Sequence, residues 1–310
     1  MKIVVTTPFT DAQKERLKKQ MPDADYCFTV KKEVTTDMLR DADILLGNAP
    51  AALIKSAGKL RWVQLDSAGY DNYTAPGVLG EDVILCNATG AYGLALSEHM
   101  LAQTFFLKKK LGFYHENQMQ ARWKDEGKVT AIAGSRTLVL GLGNIGGEYA
   151  RKMAALGSRV TGIRRSKMEC PDYLEAVGVF DEIDKYLPEA DIVAMALPGT
   201  PQTRGIMDRR RFALMKQGSI LLNVGRGSAV DQEALYEALQ SGKLAGAAVD
   251  VTDPEPLPAG SPLWQCRNLL ITPHIAGEYH LQETLDNIVE LLTDNLGRYA
   301  RGEKLRNRVR

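Results

Sequence analysis

The stretch Val139-Leu-Gly-Leu-Gly-Asn-Ile-Gly146 constrains this chain more than any other. Thr137 to Leu140 is a short apolar run with β-branched Thr137 and Val139, which suits a strand buried in a parallel sheet. Gly141, Gly143 and Gly146 follow at G-x-G-x-x-G spacing, and the segment from Asn144 to about Leu156 is amphipathic with a helical period. In a strand–turn–helix, Gly141 permits a tight turn, Gly143 lets backbone approach a pyrophosphate, and Gly146 lets the helix lie close on the strand. The helix start at Asn144 and Ile145 adds unpaired N–H groups and a positive dipole end. A plain glycine-rich turn can show the same spacing, so the motif needs company before it implies a function.

The surrounding pattern supplies it. Residues 1 to about 98 alternate strand-like and helix-like segments. Strands are predicted at Ile3 to Thr6, Tyr26 to Val30, Ile44 to Leu46, Trp62 to Leu65 and Val83 to Asn87. Helices are predicted at Ala12 to Lys19 and near Met38 and Ile54. Ala91 to about Tyr114 reads as one long helix. Asn117 to Gly134 is polar, carries Trp123, and reads as a surface crossing or a subunit contact. The alternation restarts at Thr137, with strands at Arg159 to Ile163, Ile192 to Ala196, Ser219 to Val224, Ala245 to Val249 and Leu269 to Ile271. Helices are predicted at Arg209 to Met215, Gln232 to Leu239 and Gln282 to Arg301. Repeated βα units imply an α/β fold of two doubly wound parallel sheets with a cleft between them.

Bulk properties narrow the partners. With 39 basic and 38 acidic residues in 310, the net charge of +1 gives no footing for nucleic acid or a membrane surface. No apolar stretch approaches membrane-spanning length, and the opening Met1-Lys-Ile-Val-Val is too short for a signal peptide. Cys27, Cys86, Cys170 and Cys266 are scattered, so neither disulfides nor a metal site is expected, and a reducing cytoplasm suits them.

At the end of the second strand of a dinucleotide site, an acidic residue receives the ribose hydroxyls and repels a 2′-phosphate. Here the chain reads Gly162-Ile-Arg-Arg-Ser-Lys167, with no acid. Arg164, Arg165, Ser166 and Lys167 offer donors and positive charge, which suits NADP(H). A solvated basic turn in a chain that uses NAD(H) remains open.

Three more segments follow predicted strands: Asn223-Val-Gly-Arg-Gly227, Asp250-Val-Thr-Asp-Pro-Glu-Pro256 and Thr272-Pro-His-Ile-Ala-Gly277. Ligands in such sheets bind beyond the carboxyl ends of strands, so Arg226, Glu255 and His274 should converge. An Arg, a Glu and a His beside a nicotinamide suit reduction of a 2-keto acid. Arg226 binds the carboxylate, His274 passes a proton to the carbonyl oxygen, and Glu255 holds the imidazole. Each has a bland alternative: a structural ion pair, a solvated loop acid, a turn histidine. His280 is the second choice for the acid; His99 is expected to pack within the long helix, and His115 lies on a polar stretch. Earlier in the chain, the segment Asp66-Ser-Ala-Gly-Tyr-Asp71 follows a strand. The N–H groups of Ala68 and Gly69 could hold a carboxylate there, and a plain βα turn explains the spacing nearly as well.

Together these segments resemble the D-isomer-specific 2-hydroxyacid dehydrogenases over nearly the whole length. The resemblance rests on Gly141 to Gly146, Leu197-Pro-Gly-Thr-Pro-Gln-Thr-Arg-Gly205, Asn223 to Asp231, Asp250 to Pro256 and Ile271 to Gly277. It implies Arg226, Glu255 and His274 as the catalytic set, with Arg226 and His274 also binding substrate. It implies Asp250 against the nicotinamide carboxamide, and Thr200, Val224, Leu197, Pro198, Thr203, Gly225, His274 and Gly277 along the cofactor. Ser67, Ala68 and Gly69 would form the carboxylate loop. It further implies a flavodoxin-like substrate domain of 1–98 and 277–310, a Rossmann-type cofactor domain of 99–276, and a homodimer joined through an arm at 119–136. Departures are Thr252 where Phe is usual, Tyr70 where a smaller aliphatic is common, and Gly199 for Leu. No regulatory domain follows Asn307-Arg-Val-Arg310, which argues against control by such a domain. The competing class is a non-catalytic dinucleotide-sensing interaction protein on the same fold, and fold does not decide between them. A phosphorylated acid substrate ranks lower, since no extra Lys/Arg cluster flanks Ser67 or Tyr92.

Overall fold

The structure, a computed structural model, describes all 310 residues and contains two compact units, Met1–Tyr92 with Tyr279–Arg310, and Gly93–Glu278. The first unit holds strands β1 (Lys2–Val5), β2 (Asp25–Phe28), β3 (Ile44–Leu46), β4 (Trp62–Gln64) and β5 (Ile84–Cys86). Its helices are α1 (Asp11–Lys18), α2 (Thr36–Arg40) and α3 (Ala51–Ile54), completed by a last helix, Gln282–Ala300, from the far end of the chain. All strands are parallel, in the order β2-β1-β3-β4-β5. That is the flavodoxin-like order, with its reversal between β1 and β3.

The second unit begins with α4 (Gly93–Lys108) and α5 (Leu111–Met119). Strands β6 (Arg136–Leu140), β7 (Arg159–Arg164), β8 (Ala176–Val179), β9 (Ile192–Met195), β10 (Ser219–Asn223), β11 (Leu244–Val249) and β12 (Leu269–Ile271) make its sheet. Between them run α6 (Asn144–Ala155), α7 (Ile183–Tyr186), α8 (Arg209–Leu214) and α9 (Gln232–Gln240), so the chain's last helix is α10. The order β12-β11-β10-β9-β6-β7-β8 is wholly parallel and reverses between β6 and β9, the Rossmann pattern with one added strand.

Both faces of each sheet are buried, as parallel sheets covered by helices require. On β6, Leu138, Val139 and Leu140 are at most 1% exposed although they point alternately to opposite faces. Burying each such side chain stabilises the fold by about 1.5–3 kcal/mol. Helix α10 buries Ile288, Val289, Leu291, Leu292 and Leu296 at helical spacing. Its one fully buried amide, Asn295, donates to Gln64 Oε1 at 2.6 Å and to the Arg306 carbonyl at 3.0 Å, which ties the helix to β4 and to the C-terminal segment.

Four sequence expectations differ from the structure. The single helix expected over 91–114 is two, because Lys110 takes a left-handed φ of +56° and interrupts the ladder. The polar segment expected from Asn117 begins inside α5, and Trp123 beyond it is fully exposed. Strand β8 was not anticipated: it is a four-residue edge strand, Ala-Val-Gly-Val, without a clear alternation. The four-residue helix α7 was likewise not expected, and elsewhere strand and helix ends shift by one or two residues. All four cysteines carry free thiols, and no helix is long and apolar enough to cross a membrane.

Candidate active site

Six turns leave the carboxyl ends of β6, β7, β9, β10, β11 and β12, and the catalytic and cofactor candidates of the second unit lie on them or on the helix start that follows β6. The first is the glycine turn. Gly141 has a φ of +102°, and a Cβ there would stand 2.7 Å from the Ala196 carbonyl at the end of β9. A Cβ at Gly146 would overlap the Gly141 carbonyl oxygen, so α6 can lie this close to β6 only with glycine. Gly143 caps α6 without a side-chain hydrogen bond, and nothing stands within 4 Å of where its Cβ would be. The N–H groups of Asn144 and Ile145 therefore open onto an uncrowded cradle at the strand-order reversal, which fits a pyrophosphate.

Beside the cradle, β7 ends at Arg164, and Arg165, Ser166 and Lys167 are exposed beyond it. Arg164 donates to Met168 Sδ; none of the three basic side chains forms an ion pair with a carboxylate. After β9, Leu197 and Thr203 are buried, and the Thr203 hydroxyl donates to the Pro198 carbonyl at 2.6 Å, closing the turn.

The turns after β10, β11 and β12 interlock. Asn223, 1% exposed, receives the Gly225 N–H at 3.0 Å and donates to the Arg226 carbonyl at 2.9 Å, which shapes the Val224–Arg226 turn. Half-buried Arg226 donates from Nη1 to the Gly225 carbonyl at 2.8 Å. A Cβ at Gly227 would overlap the Thr252 carbonyl, so this turn rests directly on the segment after β11. Thr252 N–H in turn donates to Glu255 Oε1 at 3.1 Å, and Glu255 Oε2 lies 2.8 Å from His274 Nδ1. Both side chains of that pair are partly exposed, 39% and 52%.

Asp250, 2% exposed, anchors the last turn. Its Oδ1 receives the Thr272 hydroxyl at 2.6 Å and Ile275 N–H at 3.0 Å, and its Oδ2 receives Ala276 N–H at 3.1 Å. His274 has a left-handed φ of +55°, unusual for a side chain of its size, and its N–H is held by the carbonyls of Asp250 at 2.8 Å and Thr272 at 3.0 Å. Gly277 closes the turn just past Ala276.

In the first unit, Ser67, Ala68 and Gly69 follow β4. Ser67 carbonyl accepts from Ala88 N–H at 2.9 Å, Ala68 carbonyl from Asn87 Nδ2 at 2.7 Å, and Gly69 carbonyl from the Ser67 hydroxyl at 2.7 Å. The loop's oxygens are thus engaged internally, while the N–H groups of Ala68 and Gly69 meet no acceptor in the chain. An anion suits that arrangement.

His280 lies in the first unit with no carboxylate partner, and His115 is exposed on α5. His99 does more than pack in its helix: it reaches Thr272 Oγ1 at 3.3 Å. The motif spacing does not single out Asn223 and Thr272, because their partners are set by the interlocked turns.

Residues 101–276 match the family described as D-isomer specific 2-hydroxyacid dehydrogenase, NAD binding domain. A solved member of that family from Aeromonas salmonicida is 30% identical, with a TM-score of 0.86 over 100% of this chain and 98% of its own. The chain belongs to the D-isomer specific 2-hydroxyacid dehydrogenase family. A relative of this dehydrogenase from Korarchaeum cryptofilum, named glyoxylate reductase, is 29% identical over 88% of this chain and 84% of its own. The NADPH-dependent glyoxylate/hydroxypyruvate reductase of Sinorhizobium meliloti, solved with NADP and sulfate, is 25% identical, with a TM-score of 0.83 over 99% and 98% of the two chains. Against two archaeal relatives the dehydrogenase spans only 59% of their length. Membership makes it an NAD(P)-dependent enzyme of small 2-hydroxy acids.

Proposed function

We propose that the protein reduces a 2-keto acid to the D-2-hydroxy acid, using NADPH in preference to NADH. The 2.8 Å bond between His274 Nδ1 and Glu255 Oε2 carries this. With Nδ1–H given to the carboxylate, Nε2 is the ring nitrogen left to handle a proton. Charged His274 donates Nε2–H to the substrate carbonyl oxygen, and in the reverse direction neutral His274 takes the alcohol proton. Glu255 fixes the ring and balances the charge it carries when protonated. Arg226 offers its planar fork to the substrate carboxylate and polarises the adjacent carbonyl. In the first unit, the Ala68 and Gly69 N–H groups, with Ser67, would serve as carboxylate donors.

Gly141, Gly143, Asn144, Ile145 and Gly146 would hold the pyrophosphate. Arg164, Arg165 and Ser166 would hold a 2′-phosphate; they are free of acidic partners, and the NADPH dependence of the Sinorhizobium relative supports the choice. Leu197, Pro198, Thr203, Val224, Gly225 and Gly277 would line the cofactor's course, with Asp250 accepting from its carboxamide. Bound there, the reduced nicotinamide supplies hydride, and the chain supplies position and charge.

A homodimer fits the large exposed apolar side chains between Phe105 and Val129, which include Leu111, Met119 and Trp123. Sedimentation at micromolar concentration tests it, and a cytoplasmic location suits the free thiols.

The deciding experiment is the initial rate of NADPH and NADH oxidation with glyoxylate, hydroxypyruvate, pyruvate, 2-ketobutyrate and phenylpyruvate. Turnover with NADPH well above NADH is expected. Turnover mainly with NADH removes the phosphate-binding role of Arg164 and Arg165. Cofactor binding without turnover of any keto acid overturns the reductase.

A further inference from the structure

Thr272 has one hydroxyl proton and two polar neighbours. Its Oγ1 lies 2.6 Å from Asp250 Oδ1 and 3.3 Å from His99 Nε2. A carboxylate only accepts, so the hydroxyl proton goes to Asp250. Oγ1 is then an acceptor towards His99, and the imidazole must donate through Nε2–H. The Gln103 amide, one turn on in α4, stands 2.9 Å from the same ring nitrogen, and its Oε1 is buried without a donor. With the amide oxygen turned to the ring, Nε2–H serves Gln103 and Thr272 together. His99 is half-buried, and burial holds its pKa below the ordinary imidazole value although the Asp250 charge pulls the other way. The neutral ring, with one proton to place, is the form these neighbours accommodate.

The bonds continue from there. Asp250 holds the N–H groups of Ile275 and Ala276 through its carboxylate, and that of His274 through its carbonyl. The left-handed backbone under His274 is therefore linked, through Asp250 and Thr272, to a helix residue 173 positions before Thr272. No other side chain of α4 reaches this turn by a hydrogen bond.

We propose that His99 is a positioning residue for hydride transfer: by donating to Thr272 it fixes the Thr272–Asp250 pair, and through Asp250 both the carboxylate on the cofactor side and the backbone that carries His274. This rests on the roles proposed above for Asp250 and His274. In this role His99 acts only through that pair.

The test compares wild type, His99→Leu, His99→Gln, Thr272→Val and the double variant His99→Leu/Thr272→Val. Fluorescence titration gives the Kd for NADPH, and steady-state kinetics give kcat and KM. Leucine removes the donor, so His99→Leu should weaken NADPH binding and lower kcat each by about tenfold, the scale of one buried hydrogen bond to a charged pair. The keto-acid KM should stay within about twofold, because the substrate carboxylate is held elsewhere. Glutamine keeps an N–H at similar reach and should restore most of both losses. The double variant should be no worse than Thr272→Val, since both changes break one chain of bonds. Unchanged Kd and kcat in His99→Leu would overturn the proposal. So would a His99→Gln variant as poor as His99→Leu, which would make ring shape the cause, or fully additive losses. If wild type binds NADPH and reduces no keto acid, the reductase reading fails, while the Kd comparison still decides for or against His99.

Discussion

Tyr279 donates its hydroxyl proton to Oδ2 of Asp66 at 2.6 Å, joining residues 213 positions apart. Thr7 donates to the same oxygen at 3.0 Å, and the Tyr92 hydroxyl donates to the Asp66 carbonyl. Asp66 is 5% exposed and immediately precedes the Ser67–Gly69 loop, so these bonds fix the loop's root.

Burial is the larger influence on that carboxyl. It pushes the Asp66 pKa above the ordinary carboxylate value despite the Tyr279 and Thr7 donors. The folded chain therefore holds this proton more tightly than the unfolded chain does. Its favourable contribution is complete below the unfolded value and fades as pH rises through the raised folded value. Asp66→Asn keeps a carbonyl oxygen for Tyr279 and Thr7 and has no charge to bury. Its Tm relative to wild type should climb as pH rises above about 4. Parallel Tm curves for the two proteins would place the burial cost elsewhere.

His274→Ala removes the proton carrier. Turnover should fall by roughly 10²–10⁴-fold, the usual share of acid–base catalysis, while NADPH binding persists. Near-wild-type turnover in the folded variant would take the role from His274 and return attention to His280.

Arg226→Lys keeps the charge and loses the planar fork. Its kcat/KM for a 2-keto acid should drop by about tenfold to a hundredfold, the loss of one charge-assisted hydrogen bond. Because Asn223 holds the Arg226 carbonyl and not its side chain, the turn itself should survive. Unaltered kinetics would mean that the carboxylate binds elsewhere.

Arg164→Ala and Arg165→Ala should each weaken NADPH more than NADH, since only NADPH carries the phosphate they are proposed to grip. A fall of about tenfold in the NADPH/NADH ratio of kcat/KM is expected from the two together. A ratio that does not move would leave these arginines as a solvated turn.

The glycine turn was legible because its constraints are local. Gly141 needs a φ of +102° and Gly146 needs contact with the Gly141 carbonyl, and only glycine meets either demand. The alternation of apolar strands with amphipathic helices likewise carried the α/β class. The break at Lys110 was not legible, because nothing in Lys108-Lys-Lys-Leu-Gly112 signals a left-handed lysine. At the site, the sequence could align Arg226, Glu255 and His274 with strand ends. It could not show that His99 on α4 meets Thr272, or that Tyr279 meets Asp66, because tertiary packing and not spacing makes those pairs.

The first unit is assembled from both ends of the chain, with the whole second unit lying between its parts. During synthesis residues 93–278 are complete while the first sheet still lacks α10, and with it the Asn295 amide that pairs with Gln64. The second unit can therefore fold as soon as it leaves the ribosome, whereas the first must wait with an uncovered apolar face until the last helix arrives. Premature termination between residue 278 and the end of α10 would leave a complete second unit and an unfinished first one, a species prone to aggregate and a natural target for quality control.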